Sequence, residues 1–225
     1  VLSITSICFD PFTVELFLPL VAGRKIDIIP FSLTRDGEAL RQIIEKNSAT
    51  VIQATPSTWQ ILLAAGWEKK LSAKLLCGGE ALTGEMAEKL LQRGEGLWNV
   101  FGPTEATVWS AAGRVRPGDK ITVGRPIDNI RYYVLDPYGN PVPAGVPGEL
   151  YIGGEGLSPG YMNRPDLTSA SFIPNFFDTT GSTKLYKSGD LIRFLQDGRV
   201  EYLGRVDHQV KLRGFRVELG EIESA

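Results

Sequence analysis

From Val1 to about Ala112 the chain alternates short, β-rich apolar runs with stretches of helical period. No other feature narrows the fold as much, because such alternation implies a parallel sheet with helices on its faces. Val1 to Cys8 reads as a strand, and Asp10-Pro11 opens a helix, with Asp as the cap and Pro at the first helical position. That helix runs to Ala22 and stops at Gly23. Lys25 to Ile29 is a short buried strand closed by Pro30, and Asp36 opens a helix in which Leu40, Ile43 and Ile44 share one face. Thr50 to Ala54 is a strand, and Pro56 starts a helix presenting Trp59, Leu62 and Leu63. Lys74 to Cys77 is a strand ending in Gly78-Gly79-Glu80, Thr83 to Leu91 is a helix, and Gly96 to Val100 is a further strand.

From about Gly113 the period changes to two. Ile130 to Leu135 alternates and then turns at Asp136 to Asn140, and Glu149 to Ile152 is a short strand leading into Gly153-Gly154-Glu155-Gly156. Leu191 to Leu195, the turn Asp197-Gly198 and Arg199 to Leu203 form a hairpin. Gln209 to Leu212 adds a strand, and Glu218 to Ser224 has a helical pattern. The expected fold is α/β: a parallel sheet with flanking helices, followed by a β-rich, distorted-barrel subdomain. The chain begins within a strand, without Met, and ends as a helix starts, so it is expected to be an excised piece of a longer polypeptide.

Composition removes several classes of function. The 225 residues are 43% hydrophobic and 22% charged with a net charge of −2, so there is core material but no basic excess for nucleic acid or an acidic membrane surface. The run Phe12 to Ala22 is interrupted by Glu15 and is too short to cross a bilayer. Cys8 and Cys77 both sit in apolar runs and read as small buried hydrophobes of a reducing, cytoplasmic compartment. Together with the lone His208 they supply no metal-ligand cluster.

Ligands of open α/β sheets bind beyond the carboxyl ends of the strands. Here those ends carry Asp10, Gln53, Gly78-Gly79-Glu80 and Asn99-Val100-Phe101-Gly102-Pro103-Thr104-Glu105. The last stretch offers an aromatic ring, backbone amides, a hydroxyl and a carboxylate, which suit a base, a phosphate and a hard cation. Taken singly, each also fits a blander role: a Gly-Pro turn, a tight Gly-Gly turn with a solvated carboxylate, a helix cap. Gly154-Glu155-Gly156 lacks the third glycine of dinucleotide spacing and follows no βαβ start, so it is not read as a dinucleotide fingerprint, and Thr179 to Lys184 lacks phosphate-loop spacing and a following helix, so it reads as a surface loop.

Four ordered motifs together resemble the acyl-adenylate-forming enzymes, and most closely the adenylation domains of nonribosomal peptide synthetases. They are Asn99 to Glu105, Gly148 to Tyr161, Tyr186-Lys187-Ser188-Gly189-Asp190-Leu191, and Gly204 to Gly214 continuing through Glu218 to Glu223. The resemblance covers essentially the whole chain. It implies activation of an α-amino acid by ATP to an aminoacyl-adenylate, then transfer to the phosphopantetheine thiol of a carrier domain. The partners it implies are ATP, the amino acid, and the carrier and condensation domains of one assembly line, with no nucleic acid and no membrane.

By position, the resemblance assigns Mg²⁺ to Glu105 and the α-phosphate to Thr104. Phe101 and Tyr202 would cover the two faces of adenine, Asn99 would meet its amino group, and Gly78, Gly79, Glu80 and Gly102 would line the nucleotide pocket. Asp190 would accept the ribose hydroxyls, Arg205 would lie near ribose and phosphates, Asp207 would be a hinge, and Lys211 would belong to the moving part. Asp10 would pair with the substrate's α-ammonium. Pro11, Val14, Gln53 and Leu76 would begin the side-chain pocket, which Gly78, Val100, Val108 and Trp109 would complete. It is mostly apolar with one amide, so a neutral amino acid is expected, and Trp109 would shorten the pocket or stack on a ring. Pro11 stands where the family commonly has Ala. The implied division is 1–112 for the α/β subdomain with both pockets, 113–206 for the β-rich subdomain, and 207–225 for the hinge and the start of a C-terminal domain. The family's phosphate loop would precede Val1 and its catalytic lysine would follow Ala225, so the 225 residues alone are expected not to turn over. The competing expectations are an acyl-CoA or aryl-CoA ligase, against which Asp10 argues, and a non-catalytic domain that has kept the fold.

Overall fold

The computed structural model describes residues 1–207, 210–212 and 215–217. Two compact units are formed, one from Val1–Val100 with Arg114–Ile121, the other from Phe101–Gly113 with most of the chain from Thr122 onward. In order, the first holds Leu2–Ser3 (β1), Phe12–Val21 (α1), Asp27–Ile28 (β2), Phe31–Thr34 (α2), Gly37–Lys46 (α3), Val51–Ala54 (β3), Pro56–Ala64 (α4), Lys74–Gly78 (β4), Gly84–Leu91 (α5) and Gly96–Phe101 (β5), which leads into the second. The strands lie in the order β2-β1-β3-β4-β5 and all pair in parallel.

Register divides these strands between two faces. Gln53 pairs with Leu76 and Gly78 with Val100, so these four side chains or glycine positions share one face near the carboxyl edge. Ile52, Ala54, Leu75, Cys77 and Leu97 lie on the other, in a core with Leu40, Ile44, Trp59, Leu62 and Leu90 from the helices. Three helices start as their sequences predict. Asp36 accepts from the N–H groups of Glu38 and Ala39, Thr55 from Thr58 N–H, and Thr83 from Met86 N–H, each cap worth about 1 kcal/mol.

Several expectations are corrected. Asp10 does not cap α1 with its side chain: Pro11 takes the cap position, and the Asp10 carbonyl accepts from Thr13 N–H and Oγ1. The first strand is two residues long because the N–H groups of Ile4 and Thr5 bond the Glu15 carboxylate instead of a neighbouring strand. The strand expected over Lys25 to Ile29 shrinks to Asp27–Ile28, with Ile28 exposed at the sheet edge. Cys8 is exposed, because β1 has already ended; Cys77 is buried as expected, and burial pushes its thiol pKa up.

Beyond β5 come the one-turn 3₁₀ helix Thr104–Ala106, then Ala111–Val115 (β6), Arg125–Pro126 (β7), Ile130–Leu135 (β8), Gly148–Gly154 (β9), Pro165–Ser171 (α6), Phe172–Pro174 (β10), Lys184–Phe194 (β11) and Val200–Arg205 (β12). An antiparallel sheet runs β10-β11-β9-β8, with β12 also paired to β11. The Asp197-Gly198 turn joins β11 to β12, Gly198 taking φ +78°. The ladder shifts register between Lys187 and Leu191 against β9 and between Leu191 and Ile192 against β12, so Ser188-Gly189-Asp190 sits at a bulge. Val210–Leu212 (β13) and Phe215–Val217 (β14) pair antiparallel, with Lys211 opposite Arg216. His208 and the helix expected over Glu218 to Ser224 lie outside the described residues. Among the described residues no helix is long and apolar enough to cross a membrane.

Candidate active site

In the first unit, the residues expected to meet an amino acid gather at the carboxyl ends of the strands. Asp10 is half-buried just before α1. Pro11 O accepts from Val14 N–H at 3.1 Å and from Gln53 Nε2 at 2.9 Å, the latter reaching from β3. Gln53 is 3% exposed and its amide nitrogen also lies 3.4 Å from Glu15 Oε1. The Gln53 N–H₂ thus bonds the scaffold at Pro11 O, and the shared face of Gln53, Leu76, Gly78 and Val100 presents no charge.

Glu15 is a residue that motif reading missed, although it was the one charge inside an apolar run. Its Oε2 accepts from Ser3 Oγ, Ile4 N–H and Thr5 N–H at 3.0 to 3.1 Å, and its Oε1 from Thr5 Oγ1 at 2.5 Å. Burial pushes its carboxyl pKa up, and these hydrogen bonds pull against that rise. At the end of β4, Gly79 takes φ +86°, and Glu80 Oε2 accepts from Ser57 Oγ at 2.7 Å. Asn99, on β5, is 4% exposed and pairs in register with Cys77, on the face opposite Leu76.

In the second unit, the turn after β5 is tightly folded. Ser110 N–H bonds Phe101 O at 2.8 Å, so residues 102 to 109 form a closed loop. A Cβ on Gly102 would lie 2.7 Å from Ser110 N and 2.9 Å from Trp109 Cα, and it would also strike Val108 O. Glycine is required here by close backbone approach. Thr107 and Val108 adopt φ +59° and +69°, left-handed values that cost β-branched residues about 1–3 kcal/mol each. The loop leaves Thr104 exposed, Glu105 buried, Val108 buried and Trp109 half-buried.

The motif Gly148 to Tyr161 then closes over this loop. Ser158 N–H bonds Glu105 O at 2.9 Å, Thr107 Oγ1 bonds Gly156 O at 2.6 Å, and Tyr161 OH donates to Glu105 Oε1 at 2.6 Å. Burial and the neighbouring Glu105 raise the Tyr161 pKa, keeping it a donor. Tyr161 lay in a recognised motif, but its bond to Glu105 is a tertiary fact with no local signature. Among the described residues no group of three or more His, Cys, Asp or Glu could hold a metal. A Mg²⁺ ion fits a site of this kind, since it is held by one or two carboxylates plus nucleotide phosphates. Glu105, oriented by Tyr161, is the carboxylate suited to it.

Asp190, 1% exposed, is paired with Arg205 Nη1 at 2.9 Å. The rest of that guanidinium grips both Asp207 oxygens, at 2.7 and 2.6 Å, and donates to Ser188 O at 3.1 Å. Gly189, at φ +73°, makes room: a Cβ there would lie 2.6 Å from Asp207 Oδ2. Ribose-candidate and hinge-candidate carboxylates thus share one arginine. The Phe101 and Tyr202 rings are 5.8 Å apart and tilted by 43°. A base held between them would need about 7 Å, two contacts of about 3.5 Å, so the rings must part to cover both its faces. Burial, with Asp190 nearby, pushes the Tyr202 pKa up to about 12.

Comparison with known proteins adds to this geometry. Residues 1–162 match the family model described as AMP-binding enzyme. The chain is 44% identical over 225 residues to a dimodular nonribosomal peptide synthase of Bacillus subtilis (strain 168), covering 99% of this chain and 9% of that protein. It is 45% identical over 226 residues to a linear gramicidin synthase of Brevibacillus parabrevis, covering 100% of this chain and 4% of the relative. It thus spans less than a tenth of either relative's length. A crystal structure of a four-domain nonribosomal peptide synthetase bound to AMP and glycine superposes with a TM-score of 0.87 at 45% identity, covering 98% of this chain and 17% of that one. A synthetase with adenylation and carrier domains, bound to a vinylsulfonamide inhibitor, superposes at 0.85 with 29% identity, covering 99% of this chain and 40% of that one.

Proposed function

Because the chain belongs to the AMP-binding enzyme family, we propose that it is the part of a nonribosomal peptide synthetase adenylation domain that activates a neutral α-amino acid. The substrate carboxylate attacks the α-phosphorus of ATP, pyrophosphate leaves, and the aminoacyl-adenylate is then taken by the phosphopantetheine thiol of a carrier domain, with AMP departing. Carrier and condensation domains of the same assembly line are the partners. The observation that carries this reading is the near-complete coverage of the chain, at 44–45% identity, by two peptide synthetases.

Asp10 is the proposed partner of the α-ammonium, and Pro11, Val14, Gln53, Leu76, Gly78 and Val100, with Val108 and Trp109, are the side-chain pocket. The neutrality of those positions favours an uncharged substrate. Thr104 and Arg205 are assigned to phosphate and ribose-phosphate contacts, Asp190 to the ribose hydroxyls, and Asn99, Phe101 and Tyr202 to adenine. Gly78, Gly79, Glu80 and Gly102 are assigned to the walls of the nucleotide pocket. Glu105 would hold Mg²⁺, which neutralises phosphate charge when bound. Chemistry of this type needs positioning and charge neutralisation rather than a covalent catalyst, and the rigid seating of Glu105 and Asp190 suits that need. Asp207 is the proposed hinge, and Lys211 belongs beyond it.

The test is amino-acid-dependent pyrophosphate exchange into ATP by the chain within its full-length protein, against a panel of amino, aryl and fatty acids. Exchange with one neutral amino acid, lost in Asp10→Ala, is expected. Exchange confined to acids without an amino group would instead place the protein among acyl-CoA or aryl-CoA ligases.

A further inference from the structure

The polar cluster behind Asp10 has no place in the reaction just described. Glu15 is 1% exposed, and among the described residues its bonded partners are hydroxyls, backbone N–H groups and the Gln53 amide, none of them a cation. A carboxylate at that depth is costly, and a leucine would extend the apolar stripe of α1 at less expense. What the carboxylate does is tie three elements together: α1, on which it stands, the end of β1 through Ser3, Ile4 and Thr5, and β3 through Gln53. Gln53 passes the constraint onward by donating to Pro11 O, the carbonyl next to Asp10.

We infer that Glu15 is a positioning residue for the α-amino group, locking the Asp10-Pro11 turn, in part through Gln53, so that the Asp10 carboxylate is set for an ammonium. The inference rests on the proposed role of Asp10. It carries a consequence for selectivity. Glu15 acts on a group that every α-amino acid possesses, so its replacement weakens all amino acids alike and leaves their ranking unchanged.

The experiment is pyrophosphate exchange in the full-length protein at saturating ATP, with the preferred amino acid, several others, and the preferred substrate's α-deamino analogue. Glu15→Gln keeps the shape but sets an N–H₂ against donors, either the Gln53 N–H₂ or the backbone N–H groups of Ile4 and Thr5. It should raise KM for the amino acid roughly ten- to hundredfold, as small displacements of a binding group do. It should leave kcat and the KM for ATP within about twofold, which marks a loss confined to substrate binding, and should not change KM for the deamino analogue. Thr5→Val, which removes the hydroxyl bonded to Glu15 Oε1, should raise KM for all amino acids by a smaller factor without reordering them, and the double variant should fall short of the product of the single effects. Equal weakening of amino acid and analogue, a lowered melting temperature with unchanged KM, or a reordered panel for Thr5→Val would overturn the inference. Because Thr5→Val leaves the Glu15 Oε2 bonds to β1 in place, it decides the matter even if Glu15→Gln fails to fold. An Asp10→Ala protein with unchanged amino-acid KM would overturn the role of Asp10 itself, and so separates that failure from a failure of Glu15 alone.

Discussion

Glu15 in the first unit and Asp190 in the second are both buried carboxylates, and the protein supports them in opposite ways. Glu15 is surrounded by neutral donors, Asp190 by an arginine whose side chain is itself 10% exposed. Neutral donors satisfy the lone pairs but do not cancel the charge, so burial still raises the Glu15 pKa. A guanidinium cancels the charge and passes its remaining N–H groups to Asp207 and Ser188. The difference teaches that the first arrangement fixes backbone shape, whereas the second links two functional candidates electrostatically.

The sharpest way to break the comparison is to remove the cation. Arg205→Ala leaves Asp190 buried without its guanidinium, and should destabilise the protein by about 3–5 kcal/mol in denaturant unfolding. Gly102→Ala comes next: its methyl meets three backbone atoms of residues 108 to 110, which should cost about 1–3 kcal/mol and lower the melting temperature. Glu15→Gln, which keeps a partly satisfied group, should cost about 1–3 kcal/mol by the same unfolding measurement, less than loss of the arginine.

Acidity sharpens the contrast further. The folded-state pKa of Glu15 lies above its ordinary value of 4.5, so between those two values the folded protein binds more protons than the unfolded chain. Stability from this group therefore declines as pH rises through that window and recovers as pH falls. Glu15→Gln should remove that slope, so the wild type loses ground to it on moving from pH 4.5 toward neutrality. The exposed carboxylates of Glu38 and Asp166 behave oppositely. Arg41 and Arg164 hold their pKa values near about 2, so their small contribution is present above the ordinary carboxylate range and fades as pH falls toward 2. Asp166→Asn should give the smallest effect of the set, a slight flattening of the acid limb.

Much of the parallel sheet was legible because local and global signals agree there. The helices expected from Asp36, Pro56 and Thr83 form, capped by Asp36, Thr55 and Thr83, and β3, β4 and β5 fall within a residue or two of their apolar runs. The misreadings arise where tertiary contacts decide. Asp10-Pro11 has the composition of a capped helix start, yet Pro11 occupies the cap and its carbonyl is held by Gln53 from β3. β1 stops at Ser3 because the distant Glu15 carboxylate competes for the next N–H groups. Those partners lie ten or more residues away along the chain and leave no local pattern. At the candidate site, residue identities could be read from motifs. What motifs could not convey is that Tyr161 orients Glu105, that Arg205 is shared by Asp190 and Asp207, or that the Gln53 N–H₂ holds Pro11 O. Those depend on which chain segments meet.

The central claim is that Asp10 reads an α-ammonium. It is tested most directly by calorimetric binding of a non-hydrolysable aminoacyl-adenylate analogue and its α-deamino counterpart to the full-length protein and to Asp10→Ala. The account predicts that loss of the amine weakens binding to the wild type by roughly ten- to hundredfold, the worth of a charged hydrogen bond, and that Asp10→Ala binds both compounds equally. Equal affinity of the wild type for the two would contradict it.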